Sequence, residues 1–229
     1  MKKNLLIWLV MVLCVIACNQ NEISRYHSKP RLDFLQNEYF SFTDKDYVAG
    51  LNGEDAFKEF GVNTQLLGDR LETPLNYCIK WVKDTVSGLN TEVLLQDIYV
   101  FPADTISTLT KFRIKRPAEV GKNFVMNLTF DNKNENHQFE TGRLEYSVCQ
   151  VRVNLSIKPA DWGVKCHWGT YSNNKYLFMM DHFKKVYDDT PQTDENLNWI
   201  AEQYKEYRKT NPPLMDDEKE PVEITFPVK

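Results

Sequence analysis

Four large aromatic side chains, Trp162, Trp168, Tyr171 and Tyr176, fall within 15 positions of one another. Sugar rings present C–H faces that stack on flat aromatic faces, so Trp162, Trp168 and Tyr171 are candidate ligand-binding residues for a glycan. The same side chains could instead fasten one structural layer to another, each burying about 150–250 Å². Both readings stay open on spacing alone. Cys166 and His167 are adjacent, and neighbours on an extended chain point to opposite sides, which makes a poor chelate. His27, His137, His167 and His182 are scattered and lack the ligand spacing of a structural zinc site. The acids at Asp44-Lys45-Asp46, Asp188-Asp189 and Asp216-Asp217-Glu218 supply no ordered oxygen set for calcium and read as solvated loop charges. No Gly-x-Ser-x-Gly elbow is present. With 32 acids in the chain, some carboxylate pair would match glycosidase spacing by chance. The expectation is therefore no metal site, no cofactor and no catalytic residue.

Cys18 carries a different chemistry. Lys2 and Lys3 precede an uncharged apolar run, Leu5–Ile16, too short to span a bilayer and suited to a signal-peptide core. The run closes on Val15-Ile16-Ala17-Cys18, which resembles a bacterial lipobox. In that family of signals the cysteine receives the lipid and becomes the first residue of the processed chain. Cleavage there would remove two lysines and no acid, and the net charge would move from −4 to −6. Acyl chains contribute about 0.8 kcal/mol per buried CH₂, so several of them anchor a protein firmly to a membrane. Cys78, Cys149 and Cys166 remain besides Cys18; an odd number does not make a disulfide scaffold, and Cys78 and Cys149 read as small buried hydrophobes.

These residues need elements to position them. Residues 19–31 are polar and read as a tether. From there to residue 158 apolar side chains recur at every second position: Phe60, Val62, Thr64 and Leu66; Leu75, Tyr77, Ile79 and Trp81; Thr110, Phe112 and Ile114; Phe124, Met126, Leu128 and Phe130. Each set predicts a strand with one face on a core. Leu144, Tyr146 and Val148 share one phase and Val151, Val153, Leu155 and Ile157 the other, which predicts a β-bulge near Cys149-Gln150. After Pro159 the period changes. Ser172 can cap a helix with Tyr176, Met179, Met180 and Phe183 on one stripe. Thr190-Pro191 or Thr193 can start a second helix, striped by Leu197, Ile200, Ala201, Tyr204 and Tyr207, and Asn211-Pro212-Pro213 must end it. Val222, Ile224, Phe226 and Val228 alternate as a closing edge strand would. Trp81 and Trp199 lie on apolar stripes and are expected in the core. The layout is a signal peptide (1–17), a tether (18–31), a sandwich (32–158) and a helical C-terminal region with a final short strand (159–229). The fold class expected is mainly β: an antiparallel immunoglobulin-like β-sandwich followed by a small α-helical region.

Composition narrows the function. The chain is 42% apolar and 26% charged, as globular chains are. Its acidic balance argues against non-specific nucleic-acid binding, and nine glycines leave little for a phosphate cradle. The segments Lys158-Pro159-Ala160-Asp161-Trp162 and Trp168-Gly169-Thr170-Tyr171-Ser172-Asn173-Asn174-Lys175-Tyr176, with Asn211-Pro212-Pro213-Leu214 near the end, resemble a family of Bacteroidetes lipoproteins of unknown function. Members of that family have a lipobox, a β-sandwich and a helical C-terminal region, and are encoded near SusC/SusD-type nutrient-uptake loci. The resemblance implies an accessory protein held by its lipid on the outer membrane, at the periplasmic or cell-surface face. Its implied partners are a glycan or an uptake component, with no catalysis. A fimbrial-type adhesive subunit and a hydrolase are the alternatives.

Overall fold

The computed structural model describes residues 29–83, 91–163, 167–217 and 221–228; Cys18 and Cys166 lie outside them. Eleven strands are described: β1 (Arg31–Phe34), β2 (Glu38–Phe42), β3 (Phe57–Leu67), β4 (Leu75–Tyr77), β5 (Ile79–Lys83), β6 (Val93–Leu94), β7 (Tyr99–Phe101), β8 (Ser107–Lys115), β9 (Asn123–Phe130), β10 (Glu140–Thr141) and β11 (Val148–Leu155). Three helices accompany them: α1 (Asp44–Leu51), α2 (Asn173–Phe183) and α3 (Asp194–Arg208).

Nine of the strands build a β-sandwich. One sheet runs β10-β1-β3-β8-β6 and the other β2-β11-β9-β5, while β4 and β7 form a separate ribbon. The opening segment serves both sheets. Its first half, β1, pairs antiparallel with β3 and parallel with β10; its second half, β2, pairs parallel with β11. The remaining pairings are antiparallel. The period-two pattern holds where the register is long. Val62, Thr64 and Leu66 of β3, Phe112 and Ile114 of β8, Met126 and Leu128 of β9, and Val151, Val153 and Leu155 of β11 are all buried between the sheets.

Four local expectations fail. No bulge interrupts β11: its register against β9 is unbroken from Val148↔Thr129 to Asn154↔Asn123. The change of phase arises because Leu144–Tyr146 form a 3-10 turn before the strand starts. The run from Leu75 to Trp81 is two strands, β4 in the ribbon and β5 in the second sheet. Tyr77, Cys78 and Ile79 are consecutively buried where the chain crosses between them, so alternation alone could not mark the break. As β5 is an edge strand, Trp81 is 36% exposed rather than core; Trp199 is 40% exposed. Finally, the tail makes one antiparallel bridge, Met215↔Glu223, and no strand. Ile224 and Phe226 are buried and Val222 and Val228 exposed, because the tail lies over helices: the Phe226 ring meets Phe178 and Tyr204 at 5.8 and 5.7 Å.

The helices α2 and α3 start where their caps allow. The Ser172 hydroxyl accepts the Lys175 N–H at 3.1 Å, and the Thr193 hydroxyl accepts the Asn196 N–H at 3.2 Å. Helix α1 lies inside the stretch expected to be all β. The Asp46 carboxylate accepts the Thr43 N–H at 2.8 Å and pairs with Lys58 at 2.9 Å; Thr43 and Lys58 outweigh burial, so its pKa falls below the usual carboxylate value. The Asp44–Asp46 pair thus belongs to a helix start rather than a solvated loop. Arg116, just beyond β8, donates to the Asp46 and Tyr47 carbonyls at 3.0 and 2.7 Å and stacks 4.7 Å over the Tyr47 ring. One apolar cluster runs from the sandwich through to α2, α3 and the tail.

Candidate functional site

Between the end of the sandwich and the start of α2, the chain gathers the aromatics singled out by spacing. Trp162 is only 8% exposed. Its Nε1 donates to the Gly169 carbonyl at 3.0 Å, and its ring lies within about 5.4 Å of Tyr171, Tyr176 and Tyr187. Trp168 is 0% exposed, beside Phe183 at 5.8 Å; its Nε1 has no hydrogen-bond partner among the described residues. Neither indole presents a face to solvent, so both sit as packing residues in this conformation. Tyr171 differs. It is half-buried, donates to Asn173 Oδ1 at 2.7 Å and carries the Lys158 ammonium 5.2 Å over its ring. Burial, reinforced by Asp217 and Asp44, pushes its phenol well above the ordinary tyrosine range.

Tyr171 lines a cleft of about 320 Å³ with Thr170, Ser172, Lys175, Asp216 and the tail residues Val222–Thr225. Helix α2 supplies Lys175, which is 3% exposed. Its ammonium lies 5.1 Å over the Phe226 ring and close beside Gly169. Gly169 has φ +80, and a Cβ there would stand 3.3 Å from the Lys175 Nζ. Glycine therefore both permits the backbone turn and leaves room for the ammonium. The tail supplies Glu223, whose carboxylate accepts from Arg208 Nε at 2.6 Å and from the Tyr204 hydroxyl at 2.9 Å. The Arg208 guanidinium, then Tyr204, holds it below the usual carboxylate range. The Asp217 carboxylate accepts the Asn173 N–H at 2.5 Å at the head of α2.

The cleft thus offers hydroxyls, carboxylates, a cation and one aromatic edge. The Ser172 hydroxyl is engaged as a helix cap. His167 is turned to the loop before α3, its N–H donating to Gln192 Oε1 at 2.7 Å and its Nδ1 3.3 Å from the Gln192 carbonyl. Among the described residues no group of three or more His, Cys, Asp or Glu could hold a metal ion. Cys78 and Cys149 are buried free thiols. Cys149 Sγ donates to the Gln36 carbonyl at 3.1 Å, and burial pushes its pKa up to about 12, which makes it inert. Spacing found Tyr171 but not Lys175 or Glu223. One is an ordinary lysine on a helical stripe; the other lies in a tail whose course over α3 no local pattern announces.

No family model and no curated protein matches the chain. Similar solved structures include a protein of unknown function from Bacteroides ovatus, 9% identical over 54% of this chain and 44% of that one, with a TM-score of 0.39. The apo-form Calx CBD1 domain is 13% identical over 56% of this chain and 98% of its own, at a TM-score of 0.37. A CARDB domain from Pyrococcus furiosus, solved with di-metal ions, is 12% identical over 56% of this chain and 94% of its own, at 0.30. The chain spans less than half the length of the Bacteroides ovatus protein.

Proposed function

We propose that this chain is a lipid-anchored accessory protein of an outer membrane that binds a glycan or a nutrient-uptake component and does no catalysis. The observation that carries the binding part is the junction cleft. It combines an aromatic edge at Tyr171, the hydroxyls of Thr170 and Thr225, and carboxylates at Asp216 and Glu223, the mixed set that a polyhydroxylated ligand uses. The anchoring part rests on Cys18 and the apolar run before it. Among the described residues no helix is long and apolar enough to cross a membrane.

The test of binding is a glycan array probed with the full chain in detergent, with Tyr171→Ala alongside. Binding that weakens about tenfold in the variant supports a glycan site in the cleft. Binding to no array member by a sample with a cooperative thermal transition overturns the glycan reading and leaves a protein partner. The anchor has a separate check: Cys18→Ala should move the protein from the membrane to the soluble fraction and abolish fatty-acid labelling, and continued labelling would sink the assignment.

A further inference from the structure

The two sheets of the sandwich turn very different faces to solvent. The outer face of the first sheet is built from charges in pairs: Lys111 with Glu59 at 2.9 Å, Lys115 with Glu92 at 3.1 Å, and Arg113 with Asp55. The second sheet turns out the residues opposite in phase to its buried set. Along β2, β11 and β9 these outward positions carry amides and hydroxyls, a few valines and one charge, Arg152. The register sets them in rows across the strands. Asn154 stands between Ser41 and Asn123, Arg152 stands beside Tyr39, and Gln150 faces Asn127.

On β2, the edge strand of this face, stands Tyr39, which is 56% exposed. Its hydroxyl accepts a hydrogen bond from Asn154 Nδ2 and donates to Asn123 Oδ1 at 3.5 Å; the Asn154 Oδ1 in turn accepts the Ser41 hydroxyl at 2.8 Å. The guanidinium of Arg152 is drawn onto Gln150, with Nε and Nη2 at 3.1 and 2.9 Å from Oε1. An exposed aromatic ring held at its tip by amides is preorganised, and a ligand that stacks on it need not pay to order it. Amides and hydroxyls both donate and accept, as sugar hydroxyls do. An anionic polymer or nucleic acid would want clustered cations here, which the face lacks.

We propose that the outer face of the β2-β11-β9 sheet, with Tyr39 on its edge strand and Asn154, Gln150, Asn123 and Asn127 on the two strands beside it, is a binding platform for an uncharged polysaccharide chain. It shares no residue with the junction cleft, so the two sites stand or fall separately. The contrast in charge between the faces selects the occupant: a neutral polymer meets complementary hydrogen bonding and a single cation, Arg152, already hydrogen-bonded to Gln150.

The test is affinity electrophoresis of the full chain in detergent, through non-denaturing gels cast with neutral polysaccharides (galactomannan, xyloglucan, mixed-linkage β-glucan, soluble starch) or acidic ones (alginate, polygalacturonate). The expected result is retardation by at least one neutral polymer. Apparent affinity should fall about tenfold in Tyr39→Ala and in Asn127→Asp, stay unchanged in Tyr171→Ala, and change little on raising the salt to about 0.5 M, since no ion pairs are formed. Asn127→Asp puts a charge on an outward position and keeps the shape, so it remains informative should Tyr39→Ala fail to fold. Migration unaffected by every neutral polymer overturns the proposal. So does retardation confined to the acidic gels, or retardation that both variants preserve.

Discussion

Tyr176 and Asp44 are 132 positions apart, and the tyrosine hydroxyl donates to Asp44 Oδ2 at 2.8 Å. The Tyr176 phenol oxygen itself accepts the backbone N–H of Tyr187 at 2.7 Å, so one phenol joins α1, α2 and the turn that follows α2. A second bond runs the other way between the same helices, from the Tyr47 hydroxyl of α1 to Asp181 of α2 at 2.9 Å. Burial, then the bond to Asp44, pushes the Tyr176 pKa far above its ordinary value. Tyr176→Phe removes two bonds and leaves a buried N–H without its acceptor, which costs about 1–3 kcal/mol. Tyr47→Phe removes one bond at an exposed partner and should cost less, about 0.5–1.5 kcal/mol. Urea unfolding checks the order: the midpoint should drop further for Tyr176→Phe with little change in slope.

Asp33 makes the sharpest demand on the sandwich. Its side chain is 0% exposed, and it accepts the Arg143 N–H at 2.8 Å and the Arg143 Nε at 2.6 Å. The residue between Thr141, the β10 partner of Leu32, and Arg143 must be glycine: a Cβ on Gly142 would stand 2.1 Å from Asp33 Oδ1 and 2.2 Å from the Leu32 carbonyl oxygen. Backbone cannot give way as a flexible side chain can, so Gly142→Ala should break the β1–β10 pairing and unfold the chain at markedly lower temperature. Arg143→Ala strips a buried carboxylate of its cation, a change worth about 3–5 kcal/mol for a fully buried pair. The half-exposed guanidinium and the remaining N–H bond place it toward the low end of that range. Differential scanning calorimetry should rank Gly142→Ala as the more damaging of the two.

Much of this architecture was legible because alternation and helical stripes report burial directly. The faces of β3, β8, β9 and β11, the Ser172 and Thr193 caps, and the proline stop after α3 all follow from residue type and spacing. What escaped are features set by contact between distant segments. Helix α1 has weak apolar periodicity, and links to Arg116, Lys58, Tyr176 and Asp181 hold it; nothing within Asp44–Leu51 announces them. The split of Leu75–Trp81 into two strands hides behind three consecutive buried side chains. At the junction, residue type found the aromatic cluster, but spacing cannot tell a ring that faces solvent from one that faces another ring. Trp162 and Trp168 proved to be the latter, while Tyr39, with nothing unusual in its local sequence, stands exposed on the second sheet.

His137 should make stability depend on pH in a window of its own. Its Nδ1 accepts the Cys78 N–H at 3.0 Å, and its Nε2 is buried without a partner among the described residues. Burial holds its pKa below the ordinary 6.5, against the opposing pull of the Asp131 charge. In the unfolded chain the imidazole takes up a proton as pH falls through about 6.5, whereas the folded protein resists it. The unfolded state therefore binds more protons below that value, and stability decreases as pH drops from neutral toward 5.5. Carboxylates held low by their partners, Glu223 and Asp131 among them, lose their contribution only in the more acidic range. Melting temperatures at pH 7.5 and 5.5 should differ in the native protein and differ less in His137→Asn; an equal difference in both would remove His137 as the cause.

Lys184 offers a prediction of the opposite sign. It closes α2 in the left-handed region, at φ 54 and ψ 31, with its N–H donating to the Met180 carbonyl at 2.8 Å. An L-residue pays about 1–2 kcal/mol for that conformation, and glycine does not, although glycine loses roughly 0.5–1 kcal/mol more chain entropy on folding. The two terms nearly offset, with a small balance in favour of glycine, so Lys184→Gly should leave stability unchanged or raise it by up to about 1 kcal/mol. Lys184→Val should lower it, because a β-branched side chain is strained at positive φ. Asparagine, which tolerates this region, should fall between them. Thermal unfolding of the three variants reads the order directly, and a valine variant as stable as the native protein would show that α2 does not end on a left-handed residue in solution.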